Sequence, residues 1–220
     1  VPTATARPTR KARGGAGEER DNSPRRSAPT PCRGGNRTVP RTYTSPGAAD
    51  ATALALAHGA VAAGDWEEVA ATDVRLYASK LNRETRQAAT RTGRQLLDLA
   101  REVFGADGIA RYHRTVSARE APGTQAVAAG VVYAATGVPV RHAVAADLFA
   151  FCASFAGAAL RLRLTDHRGA QVLLRRTAPV IEETTREALA RSPADLGATT
   201  FAADVTSARH ERAEARLFAS

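Results

Sequence analysis

The 220-residue chain has one tryptophan, two cysteines and only 5% aromatic residues. So few large rings exclude a core organised around aromatics. With 44% hydrophobic residues, many of them alanine, the core must be assembled from small side chains, and Ala-rich helix packing is the simplest way to do that. Cys32 lies in a Pro-rich stretch and Cys152 in an apolar run. A disulfide between them would tie an unpatterned segment to the core, so two free thiols in a reducing cytosol is the expected state. The first 47 residues never collect five consecutive apolar side chains, so no stretch among them resembles a signal peptide and none is expected. The longest apolar run, Ala143 to Leu160, is mostly alanine and is broken by Asp147. It reads as too weakly hydrophobic for a membrane span and as a buried helix of a soluble protein.

Catalytic signatures are missing too. There is no Gly-x4-Gly-Lys-Ser/Thr loop to cradle phosphates and no Gly-x-Gly-x-x-Gly after a strand. His58, His113, His142, His167 and His210 are scattered, and there is no Cys-x-x-Cys pair. His210-Glu211 opens like a zinc-protease signature, but position 214 is Glu. Cys152, inside the most apolar stretch, reads as a core filler. Glu67-Glu68 and Glu182-Glu183 are consecutive, so they diverge by about 100° on a helix and cannot share one proton-transfer site. The expectation is a protein that is not an enzyme, with no metal or cofactor bound directly.

What is present is unevenly placed. Lys and Arg number 31 against 22 Asp and Glu, for a net charge of +9. Residues 1–47 hold ten of the basic and three of the acidic residues, together with seven of the eleven prolines. They show neither helical nor strand periodicity and are predicted to be a disordered basic tail, leaving 48–220 as one all-helical domain that is close to neutral. A basic tail permits one rival function, a helical nucleic-acid-associated protein that uses its Arg-rich arm.

From Ala48 the pattern becomes helical, and no run alternates as a strand would, so the fold class is all-α, a helical bundle. Asp50 is placed as the cap of a helix closed by Gly64, Asp65 as the start of a second carrying Trp66, Val69 and Leu76, and Asn82 as the cap of a third. In the third, Gly93, Leu96, Leu97, Ala100 and Phe104 form one apolar stripe that ends at Gly105. Ala106 to Pro122 reads as a loop and Gln125 to Thr136 as a helix. Val140 to Leu160 is apolar on almost every side and is predicted to sit at the bundle centre. Thr165 or Asp166 caps the next helix, with Ala170, Leu173, Leu174, Thr177 and Ile181 inward. Ser192-Pro193-Ala194-Asp195 is a break before a last helix from Ala203 to about Leu217.

The closing residues His210-Glu211-x4-Arg216-Leu217-Phe218-x-Ser220 resemble the end of the urease accessory protein F (UreF) family. The resemblance continues in order through Arg83–Arg86, Gly93-Arg94-Gln95-Leu96-Leu97, His113, the Gly/Ala-rich run Ala128–Gly137, Ser154 to Leu162, Gln171-Val172-Leu173-Leu174 and Pro179-x-Ile181-Glu182. Two departures stand out. Leu164-Thr165-Asp166-His167 occupies the place of the family's Pro-Leu-Gly-Gln, and residues 1–47 contain nothing like its Gly-rich loop and Ser-x-Gly-Leu-Glu stretch. The second points to a lineage-specific tail, a misassigned start or a shifted reading frame, and a bundle lacking those first helices is expected to expose the apolar surface they cover.

The resemblance implies a cytoplasmic all-α homodimer that acts as a maturation chaperone. It would bridge urease accessory protein D (also called H) and the GTPase accessory protein G on apo-urease, with nickel and GTP handled by those partners. Neither a membrane nor a nucleic acid is implied as a partner. The partner-binding residues it suggests are Arg161, Gln171, His210, Glu211, Arg216, Leu217 and Phe218. Leu217 and Phe218 would each gain about 1.5–3 kcal/mol if docking buried them.

Overall fold

The computed structural model describes residues 46–197 together with Val205, Thr206, Ala208 and Arg209. The predicted tail, up to residue 45, and nearly all of the predicted last helix lie outside the described residues. Those described form α1 (Pro46–Ala63), α2 (Trp66–Ser79), α3 (Arg83–Phe104), α4 (Asp107–Ser117), α5 (Gln125–Ala135), α6 (Val140–Arg161) and α7 (His167–Ala190), then a 3-10 turn (Pro193–Asp195), with no strand among them. The all-α expectation holds.

Most boundaries follow from local chemistry. The side chains of Asp65, Asn82 and Asp166 accept the backbone N–H groups of Glu68 (3.0 Å), Thr85 (2.7 Å) and Gly169 (2.7 Å), each satisfying a donor that an open helix end would leave bare. Gly105 closes α3 in the left-handed region at φ 62°. Asp50 departs from its expected role: it lies inside α1, which begins at Pro46, because proline is well suited to a first helical turn. The stretch read as a loop contains α4, whose Ile109, Tyr112 and Val116 are buried at spacings of three and four residues.

The centre of the bundle is α5, not α6. Every residue from Ala126 to Val132 is buried. Across from it, α1 buries Ala53, Leu54, Ala57 and Ala60. Small residues let the two backbones approach closely, and a Cβ at Gly130 would lie 2.7 Å from the Leu54 carbonyl oxygen. His58 Nε2 donates to the Val138 carbonyl (2.8 Å) and pins the far end of α1 to the turn after α5. Low aromatic content is thus compensated by close helix contact.

A second anchor is the carboxylate of Asp73 on α2, fully buried. It accepts hydrogen bonds from Tyr112 Oη (2.7 Å), Gly123 N (2.6 Å) and Thr124 N (3.0 Å), and a further one from the Thr124 hydroxyl. Thr124 is the residue before α5, yet its side chain does not cap that helix because it is committed to Asp73. Burial, with the charge of Asp73 beside it, pushes the Tyr112 phenol far above its ordinary pKa, so it remains a donor. Four bonds to one buried anion join α2, α4 and the entry to α5. Over this entry lies Gly93, in contact with the backbone of Gly123, Thr124 and Gln125.

Candidate functional site

The first half of α6 is in the core through Ala143, Val144 and Leu148, whereas its second half buries only Ala156. On α7, Ala170, Thr185 and Ala188 are buried. The C-terminal half of α6 and the N-terminal half of α7 therefore form a hairpin arm that packs mainly on itself. Arg141 and Glu182 pair across its base, both exposed. At its tip the chain turns through Arg163 at φ 56°, a conformation that is uncommon for a side chain other than glycine.

The arm presents large apolar side chains to solvent. Phe149, Phe151, Phe155, Leu162, Leu164, Val172, Leu173 and Val180 are all exposed, Phe155 by 70% and Leu164 by 76%. Phe151 and Phe155, one helical turn apart, bring their ring centroids within 6.0 Å of each other. Isolated exposed apolar residues are ordinary, but a cluster on two paired helices marks an interaction surface. Four expectations are corrected here. The all-round apolar character of α6 reflects an outer face awaiting cover as much as a buried one, and Leu173, predicted inward, is exposed while Leu174, Thr177 and Ile181 are half-buried. Cys152 is likewise half-buried, not a core filler. Phe104, the last member of the predicted α3 stripe, is also exposed.

By length and composition alone, α6 is long and apolar enough to cross a membrane, with a mean hydropathy of 1.8 over 18 residues. The expectation of weak hydrophobicity does not hold, because the valines, leucines and three phenylalanines outweigh Asp147. The same test is passed by core helices, and α6 is engaged with both α1 and α7.

Of the seven partner-binding residues suggested by sequence, Arg161 and Gln171 fall at the tip of this arm. Arg161 ends α6, Gln171 lies in the second turn of α7, and both are exposed. His210, Glu211, Arg216, Leu217 and Phe218 lie outside the described residues. The sequence reading missed the phenylalanines of α6, whose signal was a helix apolar on all sides yet carrying three large rings in seven residues.

The family model for UreF matches residues 42–178, well over half of the chain. The chain belongs to the UreF family. Its similar relatives include the urease accessory protein UreF of Arthrobacter sp. (strain FB24), 34% identical over 148 residues, which are 67% of this chain and 66% of that protein. The UreF of Bradyrhizobium diazoefficiens is 36% identical over 176 residues, covering 79% and 71% respectively. That of Brucella ovis is 40% identical over 94 residues, 43% of this chain and 41% of the relative. The chain thus spans about two thirds of the length of the first two relatives. The matched UreF region takes in α1 to α6 and the first half of α7, so it includes the arm and both Arg161 and Gln171.

Proposed function

We propose that the chain is a urease-maturation chaperone, a non-enzymatic cytoplasmic adaptor that bridges accessory proteins D(H) and G on apo-urease for GTP-dependent nickel insertion. Nickel and GTP are handled by the partners, and the working form is a homodimer. Family membership supports the setting. The observation that carries the adaptor reading is the exposed apolar arm of α6 and α7, with Arg161 and Gln171 at its tip. Such a surface suits burial against another protein, where each phenylalanine would contribute about 1.5–3 kcal/mol.

Co-purification with the D protein, and then with D and G together, tests this. The wild-type chain is expected to form the complex, and Phe151→Ser combined with Phe155→Ser to abolish it while leaving helical circular dichroism unchanged. No complex with wild type at tens of micromolar, or a complex indifferent to both substitutions, would overturn the adaptor reading.

A further inference from the structure

A groove of about 400 Å³ opens between the N-terminal half of α3 and the middle of α6, floored by the start of α5 and closed at one end by the start of α1. Its walls are apolar or small, with Ala88 and Ala89 on one side and Leu148 and Phe151 on the other. Its charged lining consists of Asp50, Asp147 and Lys80. Lys80 Nζ is committed to Asp50 Oδ1 at 2.8 Å. Asp147 Oδ1 accepts from Gln125 Nε2 at 2.8 Å, its sole hydrogen bond among the described residues, and it has no ion-pair partner among them. Asp50 and Lys80 are thus paired with each other, and Asp147 is the one carboxyl of the lining that faces no cation among the described residues.

We propose that this groove seats a lysine or arginine side chain of a partner protein, with the cation at Asp147 and Asp50 and the aliphatic stem along Ala88, Ala89, Leu148 and Phe151. The inference rests on the adaptor reading only in taking the occupant from a protein. A carboxylate floor with apolar walls matches a side chain that carries its charge at the end of a methylene stem. The groove is also continuous with the exposed face of α6, so a partner covering Phe155 has its basic side chains within reach.

A second observation supports this. Burial pushes the Asp147 carboxyl above the ordinary aspartate range, the Gln125 hydrogen bond works against that shift, and the charge of Asp50 adds to it. Burial thus disfavours the charged form of Asp147, and a cation seated beside it would favour that form.

The test is titration of the isotopically labelled full chain with acetyl-Ala-Arg-Ala-amide and with its neutral isostere acetyl-Ala-citrulline-Ala-amide, followed by NMR at the Gln125 side-chain amide. The arginine peptide is expected to bind about tenfold more tightly, the scale of one partly buried charge pair. Asp147→Asn, which keeps an oxygen for Gln125, is expected to erase that preference. Equal affinity for the two peptides, or a preference that survives D147N, overturns the proposal. Binding of n-butylguanidinium without binding of the peptide overturns the protein source. If D147N does not fold, the two peptides on wild type decide. Failure here leaves the adaptor reading standing, since co-purification with the D protein is scored separately.

Discussion

Replacing Gly93 by alanine would place a methyl group into the entry to α5. An ideal Cβ at this position lies 2.7 Å from Thr124 C and 2.8 Å from Gln125 N, with the Gly123 carbonyl oxygen closer still. These neighbours are backbone atoms, and the segment they belong to is held by the hydrogen bonds of Asp73. It cannot yield as the end of a flexible side chain would. Overpacking a well-filled site costs about 1–3 kcal/mol, and a pinned wall puts this case near the top of that range. Alanine returns about 1 kcal/mol through helix propensity. The net loss is therefore about 2 kcal/mol, a fall of roughly 1 M in the urea midpoint. Gly59 supplies the control, because it is an exposed glycine inside α1 with nothing within 4 Å of its Cβ position. Gly59→Ala is expected to stabilise the fold by about 0.5–1 kcal/mol and so to raise the midpoint. The two variants make the same chemical change with opposite expected effects on stability, and urea unfolding followed by circular dichroism reads both. A Gly93→Ala midpoint equal to or above that of Gly59→Ala would refute the close contact of α3 with the α5 entry. If the wall is stiff because Asp73 pins it, the Gly93→Ala penalty should shrink in a Tyr112→Phe background, a non-additivity that a double-mutant cycle measures.

Tyr112→Phe alone removes one donor from a buried carboxylate and should cost about 1.5–3 kcal/mol, read as a lower melting temperature. A loss below about 0.5 kcal/mol, the size usual for substitutions touching no such feature, would show that Asp73 does not need this bond. Asp147 makes a pH prediction. Its carboxyl is raised above the ordinary 3.8, so the folded chain holds that proton more tightly than the unfolded one. Stability contributed this way is present below 3.8 and is lost as pH rises through the raised folded value. Asp147→Asn should remove this part of the slope and melt at or above wild type at neutral pH. A variant that keeps the same slope would rule out Asp147 as its source. Asp195, held below its ordinary range by hydrogen bonds from Ser192, acts in the other direction, its contribution being lost as pH falls through the lowered value.

Helix positions were legible where a short-range signal sets them. Asp65, Asn82 and Gly105 act within one turn of their own positions, and each was placed correctly. The extent of α1 was not legible because proline marks a break and a first turn equally well. The loop assigned to 106–122 concealed α4, since an apolar set as short as Ile109, Tyr112 and Val116 is hard to separate from background. At the candidate site, Arg161 and Gln171 were reached through resemblance. The groove was invisible, because Asp50, Lys80, Gln125 and Asp147 are separated by up to 97 positions and only folding brings them together.

The sequence by itself determined an all-helical protein of the UreF family, because composition, period and motif order survive without any tertiary contact. Only the tertiary structure decided which of two apolar helices became the core. Both α5 and α6 are apolar on nearly every side, so neither carries a polar stripe to orient it. Gly130 on α5 lets α1 approach to backbone contact, and the Asp73 anchor fixes the entry to α5, so α5 is enclosed. The outer half of α6 bears phenylalanines that no other described helix covers, and it became a surface.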